Sequence, residues 1–153
     1  MRLIEYRGKR VIDGKWIYGD LERSRSGNHC YITEYNQLTL EPGKQSQVQA
    51  ETVGECTGVN DDHDQPIFEG DIIQMYSGEG GFGYVAWHPD GYFYVVTPKH
   101  RPGMPLGRYL KFFKSLSEKV GKTLDITVIG NIHDNTSFKT EIYDENNQDS
   151  TNW

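Results

Sequence analysis

The chain has 153 residues, a formal net charge of −6 and a sequence pI of about 5.3. This length suits one compact domain with a small addition, and the acidic balance argues against a protein that coats DNA through bulk positive charge. Aromatic residues make up 12% of the chain, and 17 glycines and 6 prolines provide many chain reversals, so the composition favours a mainly β fold.

The location of the protein can be predicted from its apolar runs and its cysteines. No apolar run approaches the roughly 18 residues that a membrane-spanning helix needs. Met1 is followed directly by charged residues, so we expect no signal peptide. Cys30 and Cys56 lie far apart in sequence. We therefore expect a cytoplasmic protein with both thiols reduced and buried, and with no membrane-embedded segment.

Short strands separated by turn signals are predicted along the first fifty residues. Their expected ranges are 3–7, 15–21, 30–35 and 37–40. Asp13-Gly14 indicates a turn, because glycine adopts positive φ without steric cost and aspartate tolerates it. Pro42-Gly43 is expected to end this part of the fold, and residues 45–49 receive no clear assignment.

The stretch 51–73 reads as a strand at 52–53, a polar loop and further strands, with glycines at Gly54, Gly58 and Gly70. We interpret these glycines as bend points that let a small sheet close into a barrel. The acidic loop suggests a calcium or zinc site, but it lacks both the EF-hand positions and a Cys/His set. We therefore interpret it as a solvated hairpin loop.

Residues 78–85 match the glycine-rich pattern that covers ATP phosphates in protein kinases. Too few residues follow for a catalytic lobe, and no helix opens after the glycines as a dinucleotide site requires. We interpret the stretch as a turn before the clearest hairpin, strands 84–87 and 92–97 joined by Pro89-Asp90-Gly91.

No set of residues has the pattern of a catalytic site. The histidines are scattered, and none lies beside a nucleophile motif. Glu69 and Asp71 lie two apart on one face of a strand, and we interpret them as a pair that stabilises a turn. We predict no enzyme activity, no metal and no cofactor.

One helix is predicted near 106–121, because apolar residues recur there at spacings of three and four. These residues are Leu106, Tyr109, Leu110, Phe113, Leu116 and Val120. Gly121 suits the left-handed position at the end of a helix. A last strand is expected at 125–132, and the polar, acidic tail from 139 is expected to be disordered.

The segment 99–122 is basic: seven Lys and Arg residues against Glu118 give it a charge of +6 in a chain of −6. We select six of them as candidate phosphate contacts, with Tyr109 or Phe112 nearby to stack on bases. The six are Arg101, Arg108, Lys111, Lys114, Lys119 and Lys122. The alternative is a solvated basic face paired with acids elsewhere in the protein.

Three blocks of sequence carry a family resemblance. They are YRGK at 6–9 with GKWIYGDL at 14–21, ETVG at 51–54 with TG at 57–58 and IFEGDII at 67–73, and VIGNIHDN at 128–135. Together they resemble the YopX family of phage and prophage proteins. The chain departs from the family pattern at His63-Asp64, at Phe68, and in its longer, more basic segment 99–122. The resemblance implies an all-β core and residence in a bacterial host cytoplasm, and it carries no functional residues.

These observations predict a mainly β fold, a small closed or partly open β-barrel with one α-helix. The expected parts are a β N-terminal subdomain at 1–50, a barrel core with a helical insert at 51–138 and a flexible tail at 139–153. The predicted function is that of a phage or prophage accessory protein, a non-enzymatic protein-interaction or oligomeric module whose partner is an unknown protein or a second copy. The alternative is a nucleic-acid-binding protein that uses the basic segment.

Overall fold

A computed structural model describes residues 4–36, 38–39, 41–74, 81–97, 105–120 and 125–138. The predicted tail at 139–153 and the predicted helix end at Gly121 lie outside these residues. The strands are β1 Tyr6–Lys9, β2 Trp16–Arg23, β3 Cys30–Tyr35, β4 Pro42–Val48, β5 Gly54–Asn60, β6 Pro66–Phe68, β7 Asp71–Gln74, β8 Phe82–His88, β9 Tyr92–Val96 and β10 Thr127–Asn131. The helix α1 is Leu106–Val120, and a 3-10 turn covers Ala50–Thr52.

Two antiparallel sheets account for the described strands. One has the strand order β4-β3-β2-β1-β5-β6, and the other has the order β10-β7-β8-β9. The prediction of a mainly β fold with one helix is therefore confirmed, and the helix lies within the predicted range. The clearest predicted hairpin is also confirmed, as β8 and β9, with Gly91 at φ 90° in the turn between them.

Closure into a barrel is not confirmed, because both sheets are open ladders with two edge strands each. In the six-stranded sheet the chain after β1 does reach β4: Arg10 bridges Val48, and the Val11 N–H donates to the Gln47 carbonyl at 2.9 Å. The contact stops there, because the chain reverses in the turn at 11–13 that leads to β2.

The chain divides into two compact units, Met1–Gly58 and Val59–Trp153. The first unit has a core of buried side chains from β2, β3 and β4, namely Ile17, Cys30, Ile32 and Val48. Gly19 has a φ of 155°, and a Cβ there would collide with the carbonyl oxygen of Thr33. The absence of a side chain at Gly19 therefore lets β2 and β3 approach each other over this core.

Two local predictions in the first unit are wrong. The strand predicted at 37–40 is a turn at 38–39, where the Asn36 side chain accepts N–H bonds from Leu38 at 2.9 Å and Thr39 at 3.3 Å. Pro42 begins strand β4 instead of ending the unit. Proline is tolerated at this position because it is the first residue of an edge strand, where no ladder donor is needed.

The strand predicted just before Gly54 is also wrong. The Thr52 hydroxyl accepts the Lys9 N–H at 2.8 Å and donates to the Gln49 carbonyl at 2.7 Å, which fixes a 3-10 turn there. Strand β5 therefore starts only at Gly54. Gly54 itself pairs with Arg7 in the ladder, so it is a strand residue and not the predicted bend point.

The second unit buries residues on both faces of the four-stranded sheet. One cluster comprises Ile67, Ile73, Val85, Phe93, Val95, Leu106 and Ile126, with α1 packed against it. Side chains alternate along a strand, so Tyr84 next to Val85 points to the other face, where it forms a second cluster with Ile72. The sheet therefore has α1 on one face and a smaller apolar cluster on the other.

Gly70 is a bend point in the second unit, as predicted. Its φ is 85°, its N–H donates to the Val85 carbonyl at 2.8 Å, and its carbonyl accepts the Ile132 N–H at 2.9 Å. The residue therefore connects the turn before β7 both to β8 and to the end of β10. Gly58, at φ 74°, has the same left-handed conformation.

Replacing Gly70 with alanine should lower the free energy of unfolding by about 1–2 kcal/mol, because an L-residue is strained in the left-handed region. The nearest atom to an added Cβ is His133 Nε2 at 3.4 Å, so backbone strain and not collision sets the loss. Urea unfolding followed by fluorescence measures the change.

Gly107→Ala is the matched control. An added Cβ at Gly107 meets no atom within 4 Å, and the residue lies in α1, where alanine is the better helix former. Its stability should be unchanged or higher than that of the wild type. Equal stability of Gly70→Ala and the wild type would contradict the assigned role of Gly70.

Candidate functional site

The start of α1 is attached to the four-stranded sheet. Pro105 forms an isolated β-bridge with Tyr94 on β9. The carbonyl of Pro105 accepts the N–H groups of Arg108 at 2.9 Å and Tyr109 at 3.0 Å, which starts the helix. Leu106, the next residue, is only 2% exposed. The helix therefore begins at a fixed point on the edge strand.

The inner face of α1 packs on the apolar cluster of the sheet. Tyr109, Leu110 and Phe113 contact that cluster, and the rings of Tyr109 and Phe113 lie 4.7 Å apart. Their spacing of three and four residues places them on one side of the helix. Because this side is buried against the sheet, the opposite side must face solvent.

The side of α1 that faces solvent carries four exposed cations, which we call the basic face: Arg108, Lys111, Lys114 and Lys119. At 3.6 residues per turn, Arg108, Lys111 and Lys119 lie within about 80° of one another around the helix axis and span about 16 Å along it. Glu118 is the one acid in the helix sequence. Two further predicted phosphate contacts, Arg101 and Lys122, lie outside the described residues.

The proposed pairing of these cations with acids is not seen in the part of the chain that the structure describes. Among the described residues no ion pair involves a cation of the basic face, and the pairs Arg10–Asp13 and His88–Asp90 lie elsewhere. Exposed Glu118, four residues after Lys114, lies on the same side, so this side of the helix has four cations against one acid and a net charge of +3, which a partner of opposite charge stabilises. The arrangement suits an anionic partner.

Phe112 lies next to the basic face and is 53% exposed. Its ring meets the ring of Phe113 edge-on, with centroids 5.5 Å apart. Tyr109 is partly buried against the apolar cluster, so Phe112 is the more exposed of the two predicted stacking residues.

The acidic loop between β5 and β6 has a structural role that was not predicted. Asp61 is 6% exposed, and one of its carboxylate oxygens accepts the N–H groups of His63 at 2.8 Å and Gln65 at 2.9 Å. The other oxygen accepts the N–H of Val128, on β10, at 3.0 Å. The prediction of a solvated loop is therefore wrong for Asp61, because its carboxylate replaces water at these donors.

Asp62 makes a second contact of this kind just before the start of β10. Its carboxylate accepts the Ile126 N–H at 2.7 Å, and its own N–H donates to the Ile126 carbonyl at 3.0 Å. Among the residues that the structure describes, no group of three or more Cys, His, Asp or Glu side chains could hold a metal ion. The carboxylates of Asp61 and Asp62 bind backbone amides instead.

The electrostatics of Asp61 follow from these contacts. Burial raises the pKa of Asp61, but hydrogen bonds from the backbone N–H groups of Val128, Gln65 and His63 lower it, as does the His63 charge. The lowering effects are larger together, so the pKa lies below its ordinary value of 3.8. The loop is therefore held in place by an ionised carboxylate.

Comparison with known proteins gives one result. A model of the family described as YopX protein matches residues 5–138, which is most of the chain. The chain belongs to the YopX family. No curated protein and no solved structure matches this YopX chain.

Two of the blocks that resemble YopX proteins meet in the fold. Asp71 of the second block pairs with Asn131 of the third, between β7 and β10. The side-chain oxygen of Asn131 accepts the N–H groups of His133 at 3.0 Å and Asp134 at 2.9 Å, which fixes the turn after β10. Gly130 leaves room for the side chain of Asn135. In this YopX protein these motifs hold the backbone, and the basic face lies outside them.

The glycine-rich stretch also has a packing role. Residues 78–80 lie outside the described part, and Gly83 is inside β8 rather than in the predicted turn. A Cβ on Gly83 would lie 2.5 Å from the Val96 carbonyl oxygen and 2.7 Å from a methyl group of Val95. Glycine at this position therefore serves the close approach of β8 and β9.

Within the described residues, no helix is both long and apolar enough to cross a membrane.

Replacing Asp61 with asparagine should destabilise the protein at neutral pH by about 1–3 kcal/mol, because hydrogen bonds to a charged acceptor are lost. The pKa of Asp61 is lower in the folded protein than in the unfolded chain. The ionised carboxylate of the wild type therefore stabilises the fold at pH values above the ordinary pKa of aspartate. That contribution disappears as the pH falls through the lowered pKa. Urea unfolding at several pH values should show a flatter acid dependence in the variant.

The control for this experiment is Asp64→Asn in the same loop. It removes the same charge from an exposed residue, and asparagine tolerates the positive φ of 61° at this position. It should keep the wild-type acid dependence. The same flattening in both variants would show that Asp61 has no special role.

Proposed function

We propose that this YopX protein acts by binding nucleic acid through the basic face of α1, without catalysing a reaction. The observation that supports this is the set of four exposed cations on a helix whose other side is packed on the sheet. A role as a phage or prophage accessory protein in the host cytoplasm, which the resemblance implies, belongs to the same proposal.

The acidic character of the whole chain is compatible with this proposal. Phosphate contacts depend on the local field, and the basic segment has a charge of +6 although the whole chain has −6. Acidic surfaces elsewhere repel a polyanion, which favours its approach to the basic face. Overall negative charge therefore restricts the orientation of binding and does not prevent it.

The described sheet edges offer little room for a partner that adds a strand. Strand β10 is covered by the acidic loop, and β9 is bridged at Tyr94 by Pro105. Strand β6 begins with Pro66, and β4 begins with Pro42 and carries Lys44. Proline, lysine and covering loops all hinder edge-to-edge pairing. Binding through side chains on the helix is thus favoured over β-augmentation.

A labelled oligonucleotide should bind the wild-type protein with an affinity that falls as salt rises, because each phosphate contact releases counterions. The double variant Lys111→Gln with Lys119→Gln should bind more weakly and show a salt slope that is smaller by about 1.4–1.8, since each contact contributes about 0.7–0.9. Fluorescence anisotropy at several salt concentrations measures both quantities. Glutamine preserves the helix, because it is nearly as good a helix former as lysine.

Lys15→Gln with Lys44→Gln is the matched control, with the same charge change at exposed residues in the first unit. It should keep the affinity and salt slope of the wild type. Equal loss in both double variants would show that net charge, and not the basic face, governs binding. Binding that is insensitive to salt would contradict the proposal.

A second candidate function is self-association through the β8–β9 hairpin, which corresponds to the predicted oligomeric module. Trp87 is 47% exposed and lies edge-on to Phe93, with ring centroids 4.8 Å apart. On the other face of the hairpin, His88 stacks on Tyr92 at 4.6 Å and meets Tyr94 edge-on. Aromatic side chains of this kind are enriched at the centres of protein interfaces.

Light scattering coupled to size-exclusion chromatography over a concentration series tests this candidate. The wild type should show a mass above that of the monomer, and Trp87→Thr should restore the monomer. Threonine keeps the strand preference at this site. Ile129→Thr, at an exposed apolar residue of β10, is the control and should associate like the wild type. A wild type that stays monomeric throughout the series would exclude this candidate.

A further inference from the structure

We infer that the basic face takes single-stranded nucleic acid, with the ring of Phe112 stacked on an unpaired base. This inference rests on the proposed function and names the class of nucleic acid for the same site. It assigns Phe112 a binding role that the cations cannot supply.

The position of Phe112 distinguishes single strands from duplexes. The ring lies one helical turn after Arg108 and directly follows Lys111, so phosphates held by these cations would bring bases to the ring. In a duplex the faces of the bases are covered by their neighbours, and a helix meets only phosphates and base edges. In a single strand the base faces are accessible to aromatic side chains.

The packing of Phe112 shows that its ring is not needed to hold the helix. The apolar cluster beneath α1 is contacted by Tyr109, Leu110 and Phe113, and Phe112 is not among these residues. Its ring contact is with Phe113, edge-on at 5.5 Å, which leaves one side of the Phe112 ring to solvent. A half-exposed phenylalanine gains little from folding, but it can gain from stacking on a base.

The charge and length of the basic face limit the site to a short stretch of nucleic acid. Four cations can neutralise at most four phosphates. For a single strand, contacts to these four cations contribute about −3 to the salt slope, at 0.7 per contact. With so few ionic contacts, one stacked base makes a large share of the affinity, so the effect of Phe112 should be measurable.

The test compares an oligo-dT probe with a duplex of equal length by fluorescence anisotropy at low salt. The wild type should bind the single strand more tightly than the duplex. Phe112→Leu keeps an apolar side chain and the helix but lacks the ring, and it should lose about tenfold in affinity for the single strand, the expected effect of one stacked base. Its affinity for the duplex should be unchanged. Phe112→Tyr retains a ring and should bind like the wild type.

The outcomes separate this inference from the proposed function. Equal single-strand affinity of Phe112→Leu and the wild type, or tighter binding of the duplex by the wild type, would overturn the stacking role. Weaker binding by Lys111→Gln with Lys119→Gln would in that case still support the basic face as a site for nucleic acid. Absence of salt-dependent binding to either probe would overturn both. Circular dichroism and thermal unfolding of each variant verify that α1 is intact.

Discussion

The contact between the inner face of α1 and the four-stranded sheet determines what the second unit presents to solvent. Leu106, Tyr109, Leu110 and Phe113 all lie on one side of the helix and pack on the apolar cluster. Their burial fixes the rotation of the helix about its axis, since turning it would expose these side chains and bury lysines without partners. The basic face is therefore a geometric consequence of core packing.

A second constraint acts on the edge of the same sheet. The carboxylates of Asp61 and Asp62 accept the N–H of Val128 on β10 and that of Ile126 just before it, so the acidic loop takes the place of a neighbouring strand at this end of β10. A carboxylate is a strong acceptor, and hydrogen bonds to it compensate for its partial burial. Asp61 and Asp62 thus serve the fold, whereas the exposed cations of α1 form no ion pair among the described residues.

Local periodicity and turn chemistry made much of the fold predictable. The helix followed from its three-and-four spacing, and the β8–β9 hairpin followed from Pro89-Asp90-Gly91. Strand β4 was missed because its polar sequence, PGKQSQV, buries only Ser46 and Val48. The role of Asp61 could not be predicted, since its partner Val128 lies 67 residues away and no local pattern indicates such a contact. For the candidate site, the sequence supplied the cations but left Tyr109 and Phe112 equivalent, and only their packing separates them.

The contact between the acidic loop and β10 also bears on the order in which the chain folds during synthesis. Asp61 leaves the ribosome 67 residues before Val128, and β7 likewise precedes its partner β10 by more than fifty residues. Such distant contacts form late, because a long segment must be closed before they can be made. Until β10 arrives, one edge of β7 lacks its neighbouring strand, and the carboxylate oxygen of Asp61 that accepts the Val128 N–H lacks this donor. The second unit should therefore complete its sheet only after nearly all of the YopX-matched segment has been translated.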